Sequence, residues 1–463
     1  MKNVYRRFAA AAAMGAALLG ASAAWAQTHE GTVAGGAKWS VEVPDTWNGV
    51  LVTFGNPNRE VGAALQALGF AVGRFTARPG IGLRPREWAN DQLASLRDIR
   101  TRVAPRTVIS VGYSGPGLVN TMLSEDAGGL TQGAVTGCAL SVGLRNLFNA
   151  HLDGAHALSV LLAPGETIKL VDFTDALEIN RTVAQMRAAV MRAQQTPEGR
   201  ARIALVGAFG LMPTWFDPGA APPGADDFDA QEIAQYNHLT ALNVNGIESA
   251  VVEGGAQRPE GGWPAVTAGG NLSFIAHSRF DIERLAGGNT SSNVGVDYAR
   301  LLAQAPTRRQ VEALYARAGL DLAADLRRLS EAANISAAPG AIAWTAQNAT
   351  ASGRLRVPML SIRPISDIAG PQYDTWYAAR VREAGKSGLL RQAYVQEVGH
   401  CRFTPAEATA AVLTVKARIE SGRWGDSTAP QALQALAESL NLGRAAFVSF
   451  TPGPFLSDRD RAP

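Results

Sequence analysis

The chain has 463 residues, 46% of them hydrophobic and 18% charged. That composition suits a large globular core and excludes a disordered or fibrous chain. The 43 basic and 40 acidic residues include no long run of one sign, which argues against nucleic acid as a partner, since phosphate binding needs a clustered cationic surface.

At the start, Lys2, Arg6 and Arg7 precede an alanine- and leucine-rich run that ends in Ala24-Trp25-Ala26. A basic start, a short apolar stretch and a small-x-small site are the marks of a bacterial secretory signal peptide over 1–26, with a membrane anchor as the alternative. Cleavage after Ala26 would remove three positive charges and no acid. It would leave a neutral chain, periplasmic or secreted, with no membrane contact.

Strand-like runs then follow. "KWSVEVP" (Lys38–Pro44) alternates like a half-exposed edge strand. "GVLVTFG" (Gly49–Gly55), "AVGRFTA" (Ala71–Ala77) and "TVISVGYS" (Thr107–Ser114) are apolar and end in glycine or turn residues. Between the last two, "REWANDQLASLRDIRTRV" has its apolar residues at helical spacing. "GAVTGCAL" (Gly133–Leu140) is a further strand. After a long gap come "VPMLSIRP" (Val357–Pro364) and "LRQAYVQEVGH" (Leu390–His400). Strands alternating with helices predict an α/β fold with a largely parallel, helix-covered sheet.

The stretch between is helical. "FTDALEINRTVAQMRAAVMRAQQ" and "TRRQVEALYARAGLDLAADLRRLSEAA" are amphipathic, and Pro/Gly-rich stretches bearing tryptophan separate them. The expected organisation is a sheet core over 27–143 and 354–463 with a helical cap inserted at 144–353; a separate helical domain is the alternative. The final "TPGPFLSDRDRAP" is expected to be a loose terminus.

The chemistry centres on "SVGYSGPG" (Ser110–Gly117), a strand, a glycine turn with one serine, and a helix start. Such an elbow lifts a serine hydroxyl above the sheet edge and leaves backbone N–H groups free to hold an oxyanion. The last glycine of G-x-S-x-G is replaced by Pro116, which a first helical turn tolerates. A serine is a nucleophile only with a base. His400 follows the last strand run, and Asp367, in "PISD", follows the strand before it. This is the chain order Ser, acid, His of α/β-hydrolases. Asp374 is the second choice of acid and is expected to face solvent from its helix. Cys138 and Cys401 are too few for a zinc site, and no H-E-x-x-H or C-x-x-C occurs. In an oxidising compartment the two cysteines are candidates for pairing. His151 and His156, five apart on a helix, do not share a face well enough for a metal pair. No metal and no cofactor are called for.

"VGYSGPG", "HALSVLLAPG", "PISD" and "VGHCRFTPAE" together resemble the secreted bacterial serine α/β-hydrolases, an esterase-like group. The resemblance covers about Trp39–Pro164 and Val357–Trp424 and is thin over the cap. It implies Ser114 as nucleophile, His400 as base and Asp367 as its orienting acid. It also implies backbone oxyanion donors at Gly115 and at Asn56, although this chain has Phe54-Gly55-Asn56 where the family usually has a His-Gly pair. Tannases and feruloyl esterases likewise place a cysteine beside the catalytic histidine, bonded to one beside the serine. Ser114 has no adjacent cysteine, so that pattern is half matched. The implied pairing is Cys138–Cys401, with two separate buried thiols as the alternative. Trp215, Phe216, Trp263 and Trp344, in loop-like parts of the cap, are candidates for lining an acyl or aryl pocket.

The expected activity is therefore hydrolysis of small-molecule or polymeric carboxylic esters through an acyl-enzyme. The alternatives are a peptidase or amidase with the same three residues, and a non-catalytic binding protein on a hydrolase fold.

Overall fold

The computed structural model describes residues 27–55, 58–240 and 270–460. The expected signal peptide over 1–26, Asn56 and Trp263 lie outside these residues.

One nine-stranded sheet organises the chain. Its strands are β1 (Gln27–Thr32), β2 (Lys38–Val43), β3 (Val50–Phe54), β4 (Ala71–Thr76), β5 (Thr107–Tyr113), β6 (Gly133–Gly137), β7 (Met359–Ser366), β8 (Leu390–Val398) and β9 (Phe447–Val448). They lie in the order β1-β2-β4-β3-β5-β6-β7-β8-β9. β4, β3, β5, β6, β7 and β8 run parallel, while β1, β2 and β9 pair antiparallel at the two ends. This strand order defines the α/β-hydrolase fold.

The central strands β3, β5, β6 and β7 are buried almost throughout because both faces are covered. β3 alternates accordingly. Leu51 packs into one buried cluster with Leu93, Leu96 and Ile99 of α2 (Pro85–Arg102) and Leu118 and Met122 of α3 (Ser114–Asp126). Val50, Val52 and Phe54 pack into the other, with Val61 and Leu65 of α1 (Arg59–Ala67), Val412 of α14 (Pro405–Ser421) and Leu433 of α15 (Pro430–Ser439).

Nine helices are described between β6 and β7. They are α4 (Gly143–Leu162), α5 (Ala176–Ala193), α6 (Pro197–Phe209), α7 (Phe228–Thr240), α8 (Gly270–Ala286), α9 (Tyr298–Gln304), α10 (Arg308–Ala318), α11 (Leu322–Ala332) and α12 (Pro339–Asn348). Their buried apolar side chains, Leu158, Val190, Leu205 and Leu314 among them, continue the cluster on the α2–α3 face of the sheet. α13 (Gln372–Glu383) follows β7.

Several local expectations change. Lys38–Val43 is not an edge strand: β1 pairs along its whole length, so Trp39 and Val41 are buried. β6 ends at Gly137, before Cys138. The single amphipathic run over "TRRQVEALYARAGLDLAADLRRLSEAA" is two helices, α10 and α11. Gly319 ends the first at φ 67°, a left-handed cap that suits glycine.

The terminus is not loose. Arg459 donates twice to the buried Asp153 of α4, at 2.7 and 2.8 Å, and Ser457 Oγ donates to the same carboxylate at 2.6 Å. Arg145 and Asn146 hold Asp460 at 3.0 and 2.8 Å.

Candidate active site

Ser114 stands at the C-terminal end of β5, on the first residue of α3, with φ 59°. A left-handed backbone at a non-glycine residue is strained and persists where the surroundings enforce it. Here close packing at Gly112 and Gly117 crowds the elbow. A Cβ on Gly112 would run into the Pro116 carbonyl, and one on Gly117 would sit 2.8 Å from Ala139 Cβ. Asn120 of α3 donates to the Ser110 and Val135 carbonyls at 3.2 and 2.9 Å, locking the helix onto β5 and β6. Gly115 is buried and opens the helix beside the serine. Pro116 lies within the first turn, where its missing N–H leaves no bond unmade.

His400 sits in the loop between β8 and α14. Thr404 and Glu407 close a reciprocal capping box at the start of α14, which fixes where the loop ends. Asp367 lies one residue past β7 and is fully buried. His400 Nδ1 is 2.7 Å from Asp367 Oδ1, and His400 Nε2 is 2.7 Å from Ser114 Oγ. Asp367 Oδ1 also accepts from the Ala369 N–H at 2.9 Å. Because an ionised carboxylate only accepts, the proton belongs on Nδ1. Nε2 is then left to accept from the serine hydroxyl. Burial alone would raise the Asp367 pKa. The neighbouring His400 and Arg363 and the Ala369 N–H outweigh it and hold the carboxyl below its usual range.

Cys138 and Cys401 form a disulfide, with Cα atoms 5.3 Å apart and 263 residues between them. It joins the residue after β6 to the residue after His400. Both half-cystines are left-handed, at φ 44° and 58°, as is Ser114. Cys138, His400 and Cys401 place one potential ligand atom each within 4.8 Å of one another. With the sulfurs bonded together, neither is a thiolate, so this is not a metal-binding set.

Asp374 departs from expectation. It is buried, 2% exposed, because Arg363 of β7 forks onto it at 2.9 and 3.1 Å. Arg363 also reaches Asp367 Oδ2 at 2.9 Å. The sequence signal for this pair is the arginine itself, since a cation inside a buried strand calls for a buried carboxylate partner.

The cap candidates are dispersed. Trp215 is buried, and its indole N–H donates to the Asp217 and Ala220 carbonyls of its own loop. Its carbonyl accepts from Ser366 Oγ, beside Asp367. Phe216 packs edge-on against His238, ring centroids 5.0 Å apart. Trp344 is on helix α12, not in a loop, and packs against the main core. His156 bonds the Leu329 carbonyl at 2.9 Å and stacks on Tyr298. His151 borders a small, almost wholly apolar cavity of about 40 Å³ with Leu158, Phe173, Met186 and Arg279. On that measure the space holds a few waters and no acyl group of any size.

Ser114 on the turn after β5, Asp367 after β7 and His400 after β8 meet at one edge of a sheet of the α/β-hydrolase fold. The chain is 28% identical to the o-phthalyl amidase of Xanthobacter agilis over 453 residues, covering 90% of this chain and 92% of that protein. No family model matches. Among solved structures, the feruloyl esterase B of Aspergillus oryzae aligns at 12% identity and a TM-score of 0.37, over 85% of this chain and 80% of that one. A haloalkane dehalogenase from Bradyrhizobium elkani aligns at 12% identity and a TM-score of 0.33, over 86% of this chain and 99% of that one.

Proposed function

We propose that the protein is a serine hydrolase of carboxylic acid derivatives, with esters as its substrates. Ser114 is the nucleophile, His400 the base and Asp367 the residue that orients the base. The observation that carries this reading is the unbroken chain of two 2.7 Å contacts from Ser114 Oγ through both ring nitrogens of His400 to Asp367. In a non-catalytic protein nothing would require that chain.

Ser114 Oγ attacks the carbonyl carbon while Nε2 of His400 takes the hydroxyl proton. The resulting imidazolium is held by Asp367. The negative charge on the former carbonyl oxygen is met by the Gly115 N–H at the start of α3, with Asn56 as the proposed second donor. As the tetrahedral intermediate collapses, His400 returns its proton to the leaving oxygen and an acyl-serine remains. Water, deprotonated by His400, releases the acid and restores Ser114.

Ester is the first reading because an alkoxide leaves more easily than an amine. Amide hydrolysis is the second reading, favoured by the amidase relative that matches nearly the whole chain. The same three groups would serve, with His400 protonating the leaving nitrogen. The test is a set of matched substrates, a p-nitrophenyl ester and an anilide of one aromatic acid. Turnover of the ester alone is the expected result, and anilide turnover at a comparable kcat/KM would replace the ester reading. Ser114→Ala should abolish both activities and labelling by an organophosphonate probe. A variant that kept its turnover would end the serine mechanism.

Export to the periplasm or beyond is part of the proposal. It is supported by the disulfide, which an oxidising compartment maintains, and no described helix is long and apolar enough to cross a membrane. N-terminal sequencing of the protein isolated from its host should begin at Gln27; a chain retaining Met1 would overturn this.

A further inference from the structure

Arg363 and Asp374 take no part in the mechanism above, yet both are buried directly behind the acid. Arg363 has no exposed surface. Its Nη1 donates to Asp367 Oδ2 at 2.9 Å, the oxygen His400 does not use. Its Nε and Nη2 donate to the two oxygens of Asp374 at 2.9 and 3.1 Å, and Nη2 also reaches the Ala139 carbonyl at 2.6 Å. Ala139 follows the half-cystine Cys138, and its Cβ abuts Gly117 of the elbow helix. One guanidinium thus ties together the acid, the disulfide loop and α13.

The charges matter as much as the bonds. An arginine alone beside Asp367 would draw on the negative charge meant for the imidazolium. A second carboxylate on the far side of the arginine offsets it. One cation and two anions leave a single negative charge, which the imidazolium neutralises when His400 takes the serine proton. Two other titratable groups face the cluster, Tyr373 on α13 and Tyr394 on β8. Burial pushes both pKa values far above the neutral range, so both stay uncharged. Burial raises the Asp374 pKa above its ordinary value although Arg363 opposes it; the two-pronged contact with the guanidinium is what favours its ionised form.

We infer that Arg363 and Asp374 are a positioning pair for the base: Arg363 fixes the carboxylate of Asp367 so that Oδ1 faces His400, and Asp374 supplies the charge the arginine would otherwise cancel. The inference rests on the proposed roles of Ser114, His400 and Asp367.

The experiment is the pH dependence of kcat/KM, normalised by phosphonate titration of active sites. Asp374→Asn should lower kcat about tenfold, move the acid limb about one unit toward lower pH, and leave KM within twofold. An acid limb at the wild-type position, with only the melting temperature lowered, overturns the charge role. The Arg363→Met/Asp374→Leu double variant replaces the pair with apolar groups, a change buried ion pairs often tolerate, and it keeps the net charge of the cluster. Its acid limb should match wild type while kcat stays reduced. Wild-type kcat in the double variant overturns the positioning role, and if Asp374→Asn does not fold, an acid limb displaced in the double variant overturns the charge role. Failure of the parent reading is separate, because it shows as turnover in Ser114→Ala.

Discussion

At Asp367 both oxygens are engaged: Oδ1 by His400 and the Ala369 N–H, Oδ2 by Arg363. Asp367→Asn would keep the shape and lose the charge. It would also offer Nδ1 of His400 an amide that can donate, which favours the wrong tautomer. The expected result is a loss of about 10⁴-fold in kcat with little change in KM, read by steady-state kinetics on the p-nitrophenyl ester. Ser114, Asp367 and His400 stand out in the sequence because each follows a strand run, and the structure brings the three within hydrogen-bonding distance. The partners of the acid are harder to read. Asp374 falls in a helix that gives no sign of its buried face, and only the three-dimensional approach of β7 to α13 brings Arg363 to it. At this scale, the position of a residue at a strand end is easier to read from periodicity than its buried partners are.

Among the elements, the cap helix α7 carries a buried histidine. His238 is 1% exposed and its Nε2 lies 2.9 Å from the Trp215 carbonyl, so Nε2 carries the proton. Burial depresses its pKa from 6.5 to about 4, against the hydrogen bond that would raise it. The unfolded chain therefore binds a proton across that window that the folded chain refuses. The contribution of His238 is complete above pH 6.5 and is lost as pH falls toward 4, by up to about 3 kcal/mol. Glu232 on the same helix is raised by burial and acts in the opposite direction, so the informative quantity is a difference. Thermal melts of His238→Gln should decline less than wild type between pH 7 and pH 4.5; parallel declines would count against this account.

The elements themselves were legible in proportion to their apolar content. The buried strands β3 to β8 and the amphipathic α2 and α5 stand out. β1, "QTHEGT", is polar and largely exposed, and it is a strand only because β2 offers it a ladder. The division of one amphipathic run into α10 and α11 rests on the backbone of a single glycine, which hydrophobic spacing does not register.

For the molecule as a whole, the cap shares its apolar core with one face of the sheet, and the docked terminus closes over α4. The α/β class could be read from the order of strand-like and helical runs. The docking of the terminus could not. It depends on charges more than 300 positions apart, Arg459 and Asp153 foremost, and composition alone makes such a segment look solvated. Removing Arg459 would strand the fully buried Asp153 carboxylate without its cation, and breaking a buried pair in that way costs about 3–5 kcal/mol.

The bond between Cys138 and Cys401 brackets the entire cap. A protease that nicks the chain anywhere from residue 139 to residue 400 therefore yields two pieces that remain one covalent molecule. On a denaturing gel the nicked protein should migrate as a single band until dithiothreitol is added, then as two. Closing so long a loop also restricts the unfolded chain, by about 5 kcal/mol in a chain-entropy estimate. Hydrolysis by such a two-piece enzyme should survive the cut and vanish on reduction, when the segment bearing the histidine is no longer tethered to the segment bearing the serine. Full activity in the reduced, nicked protein would mean that packing alone holds the two halves in register.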